Sequence, residues 1–90
     1  MAPLFIEEED NQVFSIFPNP TYNDLIIENR TNNGIKTQIT LRDLSGKKLI
    51  AKSLLIDTKE IISLQDIPAG TYVLILKTSA FKVSRKITKI

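Results

Sequence analysis

The chain has 90 residues, 42% hydrophobic and 24% charged, with a formal net charge of +2. This is one small domain of ordinary globular composition, and no apolar run approaches the roughly 20 residues needed to cross a bilayer. Cysteine and histidine are both absent, which removes disulfides, thiol nucleophiles, catalytic imidazoles and nearly every zinc or iron site.

Residues 1–12 follow no periodic pattern and carry Glu7, Glu8, Glu9 and Asp10. They read as an acidic flexible linker ahead of a domain spanning 13–90. The start has neither the basic region nor the long apolar stretch of a secretory signal peptide. From Val13 onward apolar residues recur with period two, the spacing of strands. "VFSIF" is the first predicted strand. Pro18 and Pro20 stop it at Phe17, because neither can donate to a sheet ladder. Asn19, set before a proline, favours an extended or turn geometry, and its amide can tie the loop back to the backbone.

"LIIE" is the second predicted strand and "NRTNNG" the turn after it. In "IKTQITLRDL", Ile35, Ile39 and Leu41 share one parity and Lys36, Gln38, Thr40 and Arg42 the other, giving a half-buried strand with a wet face. The turn "DLSG" has a physical explanation. Asp43 can accept a backbone N–H through its carboxylate, and Gly46 can take the positive φ that a type I turn with a G1 bulge requires. A metal reading of Asp43 lacks a second clustered acid or any histidine, so the turn reading is preferred.

"KKLIAKSLLI" is a fourth strand of ambiguous inward parity, and a fifth, an edge strand, ends in "SLQ". Pro68 then fixes φ at a corner, and Gly70 permits close backbone approach beside a packed strand. In "TYVLILKTS", Tyr72, Leu74 and Leu76 alternate with Val73 and Ile75. Both faces are apolar, so this is the central and most buried strand. "SAF" links it to "FKVSRKITKI", with Phe81, Val83 and Ile87 facing one way and Lys82, Ser84, Lys86 and Thr88 the other. About seven short antiparallel strands without a helix make an all-β fold, an immunoglobulin-like antiparallel β-sandwich. A small open barrel is the alternative.

Catalytic constellations are not found. The serines have no imidazole partner, and the three glycines are widely spaced singletons rather than a phosphate-cradling loop. The residues therefore point to no enzyme, no cofactor and no metal. Nucleic-acid binding would need exposed aromatics among the basic residues, and the basic last strand has only Phe81, on its inward parity. From Lys77 onward the chain carries Lys77, Lys82, Arg85, Lys86 and Lys89 without an acid. Such a strand is either a lysine-protected edge or a polar address read by a partner.

Three separated motifs, "FSIFPNPTYNDLIIE", "ITLRDLSGKKL" and "IISLQDIPAGTYVLILKT", precede a lysine-bearing end, "SRKITKI". In this order they resemble the C-terminal sorting domain of type IX secretion cargo proteins, over about residues 13–90. The resemblance implies an immunoglobulin-type sandwich that serves as an address label rather than a catalyst. It carries over Pro18, Asn19 and Pro20 from the first motif, Asp43 and Gly46 from the second, and Pro68, Gly70 and Tyr72 from the third. Lys86 and Lys89 match the terminal basic positions on which export depends, and with Lys82 they are expected to form an exposed row.

The resemblance also implies partners and a route. The cargo would cross the periplasm and pass the outer-membrane translocon with its shuttle components, reaching the cell surface or the medium. A sortase-like cysteine peptidase of the surface attachment complex would then remove the label, cutting in or upstream of residues 1–12. Recognition by strand addition at an exposed edge is expected, and the same edge would allow an edge-strand dimer of the isolated domain. Sorting domains lie at the end of larger proteins, so Met1 is expected to be an initiator on an excised fragment. The competing reading is a passive accessory β-sandwich, a fibronectin-like adhesion or glycan-binding module. The lack of tryptophan and of an exposed aromatic platform argues against it.

Overall fold

The structure is a computed structural model that describes residues 7–8 and 13–90. Seven antiparallel strands carry the fold: β2 (Phe14–Phe17), β3 (Asp24–Asn29), β4 (Ile35–Asp43), β5 (Lys48–Ile56), β6 (Lys59–Ser63), β7 (Gly70–Lys77) and β8 (Lys82–Lys89). A two-residue segment, β1 (Glu7–Glu8), runs parallel to β8 opposite Lys82 and Val83. Apart from that segment, the linker expected over residues 1–12 lies outside the described residues.

The strands form two sheets, β1-β8-β7-β4-β5 and β2-β3-β6. With β2 to β8 taken as immunoglobulin strands A, B, C, C′, E, F and G, this is the order A-B-E against G-F-C-C′, an immunoglobulin-like sandwich. The predicted strand exits hold. β2 ends at Phe17, immediately before Pro18, and the β7–β8 turn closes from the Thr78 amide to the Phe81 carbonyl at 2.9 Å. β6 pairs only with β3, so it is the edge strand expected before Pro68.

The core lies between the sheets. Leu25 and Ile27 of β3 face Ile39 and Leu41 of β4 and Leu74 and Leu76 of β7, all fully buried. The Phe14 ring meets Phe81 with centroids 5.9 Å apart. Pairing resolves the parity of β5: Ile50, Leu54 and Ile56 share the inward side with Leu41, Thr37 and Ile35, while Ala51, Ser53 and Leu55 face out.

Two expectations change. β7 is central in its sheet, but among the described residues no second layer covers its outer side, where Val73 and Ile75 are only half-buried. Thr40, assigned to the wet face of β4, is buried at 8% exposure. It sits in register with Ile75 on one side and Ala51 on the other, so neighbouring side chains shield it without a covering layer.

Candidate functional site

The sequence motifs occupy three corners of the sandwich, and each works through hydrogen bonds. At the first corner the Phe17–Pro18 and Asn19–Pro20 peptide bonds are both cis. Asn19 does more than tie its own loop. Its Nδ2 donates to the Lys86 carbonyl at 2.9 Å, and its Oδ1 accepts the Thr88 amide at 3.1 Å. The Thr21 amide then donates to the Thr88 carbonyl at 2.9 Å, and the Ile90 amide donates to the Thr21 carbonyl at 2.8 Å. The loop after β2, a strand of the small sheet, thus bonds the outer edge of β8 in the large sheet. Thr21 itself is buried.

At the second corner the Asp43 carboxylate accepts the Ser45 amide at 2.9 Å, the Ser45 hydroxyl at 2.6 Å and the Lys47 amide at 2.9 Å. The Ser45 hydroxyl, followed by the Lys47 amide, holds the Asp43 carboxyl below the usual carboxylate range. Gly46 has φ +93°, as the bulged turn requires, and its carbonyl accepts a bond from the Arg42 guanidinium at 2.8 Å. Register shifts between Leu41 and Arg42, where Leu49 is the additional residue of β5.

At the third corner the Tyr72 ring folds back over Gly70, and its hydroxyl donates to the Pro68 carbonyl. A Cβ on Gly70 would lie 3.5 Å from the tyrosine oxygen, in a backbone at φ +157°. Tyr72 therefore pins the turn leading into its own strand, the device known as the tyrosine corner of immunoglobulin folds.

The terminal lysines do not form one exposed row. Lys86 is exposed and Lys82 half-buried, but Lys89 is buried at 9% exposure. Its Nζ donates to the carbonyls of Leu64 at 2.6 Å and Ile67 at 2.5 Å, so it clamps the β6–β7 loop to β8. The reason is parity: Lys89 shares the inward parity of Val83 and Ile87, and only its long stem lets the amino group reach polar partners.

Asn29 is a buried anchor that the motif reading missed. Its Nδ2 donates to the carbonyls of Asn33 and Ile56, and its Oδ1 accepts the Thr31 amide and hydroxyl. An inward-parity asparagine at the end of an apolar strand was the available signal. Among the described residues no buried side-chain nitrogen or oxygen lacks a partner, so these polar groups fix geometry without an orphaned cost.

A family model described as the secretion system C-terminal sorting domain matches residues 15–90. The chain belongs to this family: it is a type IX secretion C-terminal sorting domain. No curated protein and no solved structure matches it. The three corners of the sorting domain coincide with the motifs that carried the resemblance; the first and third shape the backbone at β8 and β7, and the second shapes the turn between β4 and β5. A sorting domain directs export to the cell surface or the extracellular space and is not itself catalytic.

Proposed function

We propose that this sorting domain directs a larger cargo through the outer membrane, crossing the periplasm folded, and that a sortase-like cysteine peptidase then removes it. The family match carries the reading. Two further features support it. All three motif corners serve to hold one rigid sandwich, which suits a label recognised as a folded surface. The acidic residues 1–12 precede the first long strand, where a cut would separate cargo from label without breaking the core. The proposed partners are the outer-membrane translocon, its shuttle components and the surface peptidase. Pro18, Asn19, Pro20, Asp43, Gly46, Pro68, Gly70, Tyr72 and Lys89 act by fixing the fold, while Lys82 and Lys86 face the partner.

The test is a fusion of the whole chain to the C-terminus of a fluorescent protein with an inner-membrane export signal, produced in a type IX-competent host. Fluorescence should reach the cell surface or the medium, and the cargo recovered there should have lost the mass of the sorting domain. Retention in the periplasm would refute the sorting role. Export with the domain still attached would refute only its removal.

A further inference from the structure

The outer face of the large sheet gathers cations that lie far apart in sequence. Cross-strand register places Lys82 beside Lys77 and Gln38, and Lys86 beside Val73, Arg42 and Lys48, with Lys36 opposite Leu55. Six cations from four strands share this face, and no Asp or Glu takes an outward position of β4, β5, β7 or β8. Between the two cationic rows runs a central row of Ser84, Ile75, Thr40 and Ala51. At one end an open cleft of about 600 Å³ lies between Lys36 and Lys77, floored in part by Gln38, Ser53 and Leu55. The outer face of the small sheet is different, with Asp24 and Glu28 beside an apolar row of Phe17, Ile26 and Ile61.

We propose that this basic sheet face, and not the edge of the last strand, is the docking surface of the domain, and that its partner is the acidic surface of a folded protein. The inference rests on the sorting reading and says which surface serves it. The edge of β8 is a poor site for strand addition, because Asn19, Thr21 and β1 bond or pair with it along much of its length. The face has the anatomy of a protein interface, an apolar and small-residue centre within a charged rim. Electrostatic complementarity then requires an anionic partner. A membrane surface would call for bulky apolar side chains to insert, and a glycan or nucleic acid for stacking rings. The outward positions of the four strands hold neither tryptophan, tyrosine nor phenylalanine, and Leu55 is their single exposed bulky apolar side chain.

Lys36 and Lys48 provide the discriminating test, since they lie on β4 and β5, outside the basic C-terminal strand, and both are exposed. The short β1 segment pairs with β8 at Lys82 and Val83, across the sheet from both. In the fluorescent fusion, Lys36→Glu/Lys48→Glu should lower surface fluorescence at least about tenfold, the change expected for two reversed contacts of roughly 0.7 kcal/mol or more each. The control Arg30→Glu/Lys59→Glu makes the same change of charge on exposed residues away from this face and should export normally. Thermal unfolding of the purified variants separates misfolding from lost docking. Normal export of Lys36→Glu/Lys48→Glu would overturn the proposal while leaving the sorting role intact, whereas failure of the unmodified fusion would overturn the sorting role itself.

The partner class is read by placing a photo-crosslinking amino acid at Ala51, the β5 end of the central row between the two cationic rows, with adducts identified by mass spectrometry. The expected adduct is a protein with an acidic surface, lost in the Lys36→Glu/Lys48→Glu background. An adduct with lipopolysaccharide or phospholipid, or one that survives the charge reversal, would overturn the assignment.

Discussion

Replacing Lys89 by methionine keeps most of the side chain's length and removes its donors to Leu64 and Ile67. The two carbonyls would be left in a buried site, at a cost of about 2 kcal/mol. In a domain of this size that corresponds to a fall of about 8–16 °C in Tm, measurable by circular dichroism. An unchanged Tm would show that water replaces the clamp. Alternation already put Lys89 on the inward side, and its charge argued for the outside; the length of the lysine stem decided the conflict. Asp43 gives a prediction in pH. Its folded pKa lies below its unfolded value, so its contribution is present above the unfolded value, near about 4, and is lost as pH falls through the folded value. Asp43→Asn retains an oxygen for the turn amides and cannot titrate. Its stability should therefore decline less steeply than that of the unmodified domain in acid below about pH 4, with parallel curves from pH 5 to 8. Denaturant midpoints across that range check it, and identical acid limbs would count against the assignment.

The turns were the elements most legible in the sequence, because their chemistry is local. Asp43 and Gly46 took the roles their types and spacing dictate, and an alanine at Gly46 should cost about 1–2 kcal/mol, with asparagine costing less. Tyr72 was legible only as a buried strand residue, since its bond to Pro68 depends on the ring folding back across Gly70. Tyr72→Phe keeps the ring and should cost about 1 kcal/mol in chemical denaturation, the value of one hydrogen bond. The ending of β8 shows why point changes are better tests than truncation. Removing residues 86–90 deletes the buried Ile87, the Lys89 clamp and the backbone partners of Asn19 and Thr21 together. Such a chain is expected to lose its cooperative unfolding transition, so its failure to be exported would reflect misfolding before any lost address.

At the level of the molecule, period-two patterning identified the strands but could not say which sheet each would join. A half-apolar strand satisfies its inward face in either sheet, and the assignment depends on non-local pairing. The basic face was hidden for the same reason: Lys36, Arg42, Lys48, Lys77, Lys82 and Lys86 become neighbours only after four strands are set in register. The corner at Asn19 was legible as a turn but not as a bridge between sheets, because its partners lie 67 and 69 residues away. That division of labour predicts an uneven stability. β4 and β7 are each flanked by strands on both sides and hold Ile39, Leu41, Leu74 and Leu76 at 0% exposure. β2 and β6 are edge strands of 4 and 5 residues in a sheet of three. Inward-bonded amides of β4 and β7 should exchange with solvent only through global unfolding, and those of β6 through local openings of lower free energy. Lys89→Met should selectively accelerate the Leu64 and Ile67 amides, because Lys89 joins their loop to the large sheet. Uniform acceleration across both sheets would instead mean that the small sheet has no independent opening, and that the clamp acts on the stability of the whole sandwich.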